Sequence, residues 1–415
     1  MIKFREFAAS SIGSKYAERG WDCQDSSDSI SFDDVQAIAV ADGHGGGDYF
    51  RSQIGSKLAI EVLFRQLRYA FENMKDTERF SDTGIKNFKY NFVNEWRKAV
   101  RKDWYDRLID GKPLGQDEIR YKSVSEKYKA RYTSDNPDVV EKYLYVAYGT
   151  TLICAVSIGK QILTLQIGDG SCVLLQSNGE FSLPIPPEEE NFLNMTVSLC
   201  DDNSELKIRH AVIDCNSPNS PAAIFLSTDG LDDCFPYYQN EEHLYKFYAD
   251  VIIDSMVRNF FLATEKEIRE QLLPGLTKKA SKDDISLAYL ILPTVLELRK
   301  VFGKIDARYK STPEPPKKIS SDENISSTAQ KKVVKAFVPQ KLSSTSSTTT
   351  TTKIAESEIK LPPFMDIAPP IPQQPPQPPK QTLFKANTVS YGAPVPVGGT
   401  PQTETFTPSI FKPAN

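Results

Sequence analysis

The chain has 415 residues, 40% hydrophobic and 25% charged, which is ordinary globular usage and enough to build a core. Ten of its 28 prolines fall in residues 1–303 and eighteen in 304–415, so a globular body carries a tail of another kind. The body has 36 Lys+Arg against 46 Asp+Glu, net −10, and the tail 14 against 8, net +6. An acidic body argues against an enzyme that grips a nucleic-acid backbone.

SDSISF and VQAIAVAD read as strands, the second a buried-looking apolar run that ends in DGHGGG. A helix is expected from Gly55, with Leu58, Ala59, Val62, Leu63, Leu67, Ala70 and Phe71 on one stripe. A second is expected over 88–109, with Phe92, Val93, Trp96, Val100, Trp104 and Leu108 on one face. Residues 110–142 are polar without a strong period and read as a partly helical insertion. TLICAVSIGKQILTLQIGDGSCVLLQSNGEFSLP reads as three short strands with turns at GK, GDG and SNGE. IRHAVID and AAIFLSTDG add two strands, residues 242–271 regain a helical period, and ISLAYLIL is a last strand before a short helix, VLELRKVFGKI. Clustered strands and clustered helices mean α+β. The expected body covers 1–300, and a disordered Pro/Ser/Thr-rich tail covers 301–415, with SSTSSTTTTT and PPIPQQPPQPPK in it.

The start, MIKFREFAAS, lacks the apolar stretch of a signal peptide, and no run of 18 apolar residues occurs. Six cysteines are scattered without a CxxC pair, as expected of reduced thiols in a cytoplasmic protein.

Five aspartates stand out by context: Asp25 in CQDS, Asp42 in VADGHGG, Asp169 in IGDGS, Asp229 in LSTDG and Asp283 in SKDDIS. Each lies at or near the end of a hydrophobic strand, several beside a glycine. For any one Asp-Gly pair a plain β-turn is the simpler reading. Recurrence at strand ends favours ligands for a hard cation such as Mg²⁺ or Mn²⁺, which takes oxygen donors. His44 lies next to this chemistry and has the ordinary pKa of a general acid; a solvated loop histidine is the plainer alternative.

The ordered set CQDS, VADGHGG, YGTTL, IGDGS, LSTDGLDD and SKDDIS resembles the metal-dependent serine/threonine protein phosphatases of type 2C, near the divergent bacterial-like branch whose first motif reads CQD. The resemblance covers about residues 8–292. It implies a β-sandwich of two antiparallel sheets flanked by helices, with two Mg²⁺ or Mn²⁺ ions, or three, at one edge. Asp42 matches the carboxylate that bridges two ions, the Gly43 carbonyl a further ligand, and Asp229 and Asp283 the remaining first-metal positions. Asp25 matches the acid that holds metal-bound waters, Asp169 and Asp233 the third-metal positions, and His44 the general acid. The implied reaction is attack of a metal-bridging hydroxide on phosphoserine or phosphothreonine in a protein, with no cysteine nucleophile. Two departures stand out. Gln24 replaces a common Glu, and the phosphate-binding arginine's position holds Gly20, leaving Arg19 and Arg51 as candidates.

The alternative is a catalytically weak pseudophosphatase that binds phosphoproteins. A carboxylate-metal nuclease is disfavoured by the acidic body. The expected partners are a phosphorylated protein and, at residues 369–380, a proline-motif-binding domain. The expected state is a monomer that binds neither nucleic acid nor membrane.

Overall fold

In a computed structural model of the chain, residues 3–109, 111–112, 118–186, 196–236 and 240–310 are described. Ten strands form: β1 (Arg5–Ser11), β2 (Ser26–Phe32), β3 (Val35–Ala41), β4 (Leu152–Ile158), β5 (Gln161–Ile167), β6 (Ser171–Gln176), β7 (Phe181–Ser182), β8 (Arg209–Asp214), β9 (Pro221–Ser227) and β10 (Ile285–Ile291). They pair antiparallel into two five-stranded sheets, β1-β10-β9-β6-β7 and β2-β3-β4-β5-β8. This is the expected α+β sandwich.

The pleat explains why the central strands read as continuous apolar runs. Successive side chains in a strand point to opposite faces. In β3, Ile38 and Val40 point between the sheets, where they meet Ile153, Ala155, Leu174, Ile224, Leu226, Ala288 and Leu290. Ala37, Ala39 and Ala41 point the other way, under a helical layer with Val62, Leu63, Trp96 and Trp104. In β10, Leu287, Tyr289 and Ile291 face the opposite helical layer, with Phe247, Ile252 and Leu276. Both faces of both inner strands are covered, so no polar alternation survives in their sequence.

The first helical layer is built from Ser52–Asn73 and Asp82–Asp106. The second of these starts six residues before the expected 88, because Ser81 caps it by accepting from the Gly84 N–H at 3.1 Å and Ile85 extends its buried stripe. The insertion is partly helical as expected, with helices at Glu118–Tyr121, Glu126–Tyr132 and Pro137–Tyr143 among its described residues and beyond. The expected strand trio is four strands, because Phe181–Ser182 adds a pair too short to show a period. The opposite layer spans Asn240 to Lys279, but not as one helix. Two π-helical segments, Phe247–Ile253 and Ile268–Leu272, and a break at Phe260 (φ 64°) divide it. Ordered packing continues past residue 300: Tyr309 is buried, edge-on to Phe181 and Tyr245. The Pro/Ser/Thr-rich segment from 311 lies outside the described residues.

Gly55 sets the distance between the helical layer and the chain before β4. A Cβ there would lie 1.9 Å from the Tyr148 carbonyl oxygen, and the Gly55 carbonyl accepts from Trp96 Nε1 at 3.1 Å. Gly55→Ala should therefore destabilise by about 1–3 kcal/mol through overpacking. Chemical denaturation would measure it, and a neutral result would contradict the close approach.

Candidate metal centre

The two sheets end together at one edge, and the loops leaving them carry the acids. Asp42 follows β3 directly. Its N–H donates to Thr151 Oγ1 at 3.0 Å, and its carbonyl accepts from the Thr151 N–H and Thr150 Oγ1, both at 2.8 Å. One residue on, a Cβ at Gly43 would fall 2.5 Å from the Gln24 carbonyl and 2.7 Å from that of Ser52, so only glycine fits. The His44 N–H donates to the Gly149 carbonyl at 3.1 Å, and Ser52 Oγ donates to the His44 carbonyl at 2.8 Å. The YGTT stretch is thus the clamp that aims the Asp-Gly-His turn.

A second clamp joins the chain's first and last motifs. Asp284 is buried and accepts from the N–H groups of Gly13 and Gln24, both at 2.6 Å. Thr228 Oγ1 donates to Asp25 Oδ2 at 2.7 Å and accepts from the Ser286 N–H at 2.9 Å. Asp229 follows as the first residue of the helical turn Asp229–Asp232.

These clamps bring the acids together. Asp42, Asp169 and Asp229 each offer an oxygen, and the three oxygens lie within 4.8 Å of one another. Asp25 is close enough to Asp229 and Asp284 for their charges to shift it. Asp229 feels Asp169, Asp233 and Asp283. All six acids singled out from the sequence therefore lie in one electrostatic cluster, with Gly43 beside it.

The electrostatics follow from crowding. Burial and then neighbouring charge (Asp284 for Asp25, Asp229 for Asp42) push both carboxyls well above the ordinary 3.8. Burial and then Asp169 push Asp229 up to about 7. Asp232, which the sequence reading passed over, is pushed by burial to about 8, although Ser171 Oγ donates to it at 2.8 Å. Its Oδ2 is buried with no hydrogen-bond partner among the described residues, and so is Gln24 Oε1 next to Asp25. Burial lowers the His44 pKa below its usual 6.5 against the pull of Asp169 and Asp201. The ring lies edge-on to Tyr49 at 4.8 Å. An all-oxygen donor set whose members repel one another fits a hard divalent cation, which supplies the missing positive charge.

The two arginines fare differently from the acids. Arg51 is fully buried behind the site, not exposed to an incoming phosphate. Its guanidinium packs on Phe50, Trp104 and Tyr148 at 5.2–5.8 Å, and Nη1 donates to the Tyr148 hydroxyl at 2.9 Å. Tyr148 in turn donates to Asp103 at 2.7 Å. The phosphate-binding assignment of Arg51 is therefore corrected to a structural one: it ties the clamp segment to the helical layer. Arg19 is exposed, its guanidinium over the Trp21 ring at 5.2 Å. Sequence reading missed Lys15, whose ammonium forms an ion pair with Asp283, and Tyr16, whose hydroxyl packs against Gly45. It also did not separate Asp284, which staples, from Asp283, which faces the cluster. Asp284 lies within a motif already noticed, whereas Lys15 and Tyr16 lie outside all of them, and nothing in a linear pattern marks which side chain turns inward.

The protein phosphatase 2C family model matches residues 12–273, and the chain belongs to that family. Among solved structures it is similar to a bacterial serine phosphatase at 14% identity, covering 70% of this chain and 98% of that one, with a TM-score of 0.41. It is also similar to the Mycobacterium tuberculosis serine/threonine phosphatase PstP/Ppp at 14% identity, covering 71% and 100%, with a TM-score of 0.40. The PstP catalytic domain in complex with two manganese ions gives 13% identity, 70% and 100% coverage and a TM-score of 0.40. A search of curated proteins returned no match. No helix among the described residues is long and apolar enough to cross a membrane.

The raised carboxyls carry a signed consequence for stability. Each holds its proton to higher pH folded than unfolded. Their contribution is full below the unfolded value near 3.8 and is lost as pH rises towards about 7 for Asp229 and about 8 for Asp232. The metal-free protein should therefore melt at progressively lower temperature from about pH 5 to about pH 8, and millimolar Mg²⁺ or Mn²⁺ should raise the melting temperature most at the upper end. Thermal melts across that range check it; a melting temperature that rises with pH in the absence of metal would contradict it.

Proposed function

We propose that the chain is a metal-dependent protein phosphatase that hydrolyses phosphoserine and phosphothreonine. The observation that carries this reading is the convergence of Asp42, Asp169 and Asp229 from three separate strand ends in a member of the protein phosphatase 2C family. Asp42, Asp229 and Asp283, with the Gly43 carbonyl, would hold two Mg²⁺ or Mn²⁺ ions, and Asp169 and Asp233 a third. When bound, the cations polarise a phosphoryl group and make a water acidic enough to act near neutral pH.

The chain's own residues do the rest. Asp25, locked by Thr228, would accept hydrogen bonds from waters around bound ions. The clamp on Asp42 fixes the carboxylate before substrate arrives, so no reorganisation is needed during the reaction. His44 sits on the turn held by Gly149 and Ser52 and, in its imidazolium form, donates a proton to the departing serine or threonine oxygen. That step matters for an alkoxide and hardly at all for a nitrophenolate, which leaves without a proton. The six cysteines play no part: burial raises Cys154, Cys172 and Cys234 to about 12, which keeps them as thiols. The proline run at 369–380 lies outside the described residues and is proposed as a docking arm for an aromatic-lined groove.

The test is hydrolysis of an aryl phosphate and of phosphoserine, phosphothreonine and phosphotyrosine peptides side by side. Turnover should require Mn²⁺ or Mg²⁺ and vanish in chelator; activity that persists in chelator would sink the mechanism. Asp229→Asn should cut turnover by more than ~100-fold with the fold retained by circular dichroism, since even outer-shell metal partners are worth ~10–100-fold. Phosphopeptide binding without any turnover would instead give the pseudophosphatase.

A separate comparison isolates His44. His44→Ala should slow the phosphoserine peptide by roughly 10²–10⁴-fold, the usual scale of general acid catalysis, and slow p-nitrophenyl phosphate far less. Equal losses on both substrates would remove the histidine from the proton-donor role.

A further inference from the structure

We propose, on the phosphatase reading above, that Lys15 is the residue that receives the substrate's phosphoryl oxygens, in the role for which the sequence suggested an arginine. Its ammonium pairs with Asp283, and its charge also reaches Asp233. The side chain stays 39% exposed, so it lies at the rim of the acidic cluster and not beneath it.

The placement is built, not incidental. The Lys15 N–H donates to the Lys282 carbonyl at 3.2 Å, and the Gly13 N–H to Asp284 at 2.6 Å. Residues 13–16 are thereby stapled to the loop that carries Asp283. Tyr16 is buried, and its hydroxyl fills the space where a side chain at Gly45 would lie. Its ring stacks on Trp21 at 5.8 Å, and the Lys15 ammonium lies over that same Tyr16 ring at 4.7 Å. One short segment therefore touches the Asp283 loop on one side and the Asp-Gly-His loop on the other, with a cation on the wall between them.

Among the described residues, Arg19 lies over the Trp21 ring at 5.2 Å on the outer side of this wall, and Arg51 and Arg120 are held elsewhere. Arg51 is enclosed by aromatic rings. Arg120 is buried, donating to Gln53 Oε1 at 2.5 Å and to the Tyr49 carbonyl at 3.1 Å. A lysine also suits the position chemically. Its ammonium is a point charge on a flexible stem with three donors, able to leave one anionic oxygen for another. Asp283, if it held a divalent cation, would hold Lys15 less tightly, and an incoming phosphoryl group would offer a replacement anion at the same rim.

The experiment uses the full chain loaded with Mn²⁺. Lys15→Ala and Lys15→Met, the second keeping most of the stem, are compared with wild type for inorganic phosphate binding by calorimetry. Steady-state kinetics on a phosphothreonine peptide and Mn²⁺ affinity are measured alongside. Both variants should weaken phosphate binding by about 10- to 100-fold, the worth of a charge-assisted hydrogen bond. KM should rise more than kcat falls, Mn²⁺ should bind as tightly as before or tighter, and Lys15→Arg should recover part of the loss. Unchanged phosphate affinity would overturn the proposal. A change in Mn²⁺ affinity alone would also overturn it and make Lys15 a counter-ion of the metal-free cluster. Absence of turnover in wild type would count against the phosphatase reading, while the phosphate titration still decides the role of Lys15.

Discussion

Carboxylates that are crowded together at one sheet edge and repel one another are the constraint on which this protein is organised. Left alone, such a cluster pushes its own protons back on, as Asp25, Asp42 and Asp229 show. No single loop could hold that arrangement against its own electrostatics. The two sheets do so by ending three strands at one edge, with each strand fully buried and so unable to shift without exposing its core.

Precision comes from backbone hydrogen bonds more than from the acids themselves. Thr150 and Thr151 lock the Asp42 peptide unit, Thr228 bridges Asp25 and Ser286, and Asp284 caps the amides of Gly13 and Gln24. Thr150, Thr151 and Thr228 are neutral, whereas Asp284 adds its own charge beside Asp25 while it accepts from the two N–H groups. Asp284 illustrates the division of labour. It is adjacent to Asp283 in sequence, yet β10 begins at the next residue, and the two side chains serve different ends: one staples two loops, the other meets Lys15.

The insertion has a structural place in the same scheme. Ser125 N–H donates to Asp48 Oδ1 at 2.8 Å, the Tyr132 hydroxyl donates to the Asp48 carbonyl at 2.9 Å, and Arg120 reaches Ser52, Gln53 and Tyr49. The polar stretch without a period is thus the outer brace of the loop that follows His44.

Strand positions, the two long helices and the acids at strand ends were legible in the sequence, because pleat and helix periods are local and a run such as VQAIAVA can only be a buried element. The helix start at Asp82 was missed because a capping serine lies outside the apolar stripe that reveals a helix. Residues 242–271 were read as more continuous than they are, since two π-helical segments and the break at Phe260 leave the apolar period nearly intact. The basic residues were the hardest to place. Arg51 looks exposed beside a glycine-rich turn but is enclosed by rings that arrive from Trp104 and Tyr148. Lys15 looks like any surface lysine, yet its partner Asp283 lies 268 residues away. What the sequence by itself determined was which residue types stand at which strand ends. Which cation faces the cluster, and which one is locked behind it, only the tertiary structure decided, because a side chain's surroundings are set by segments that meet across hundreds of residues.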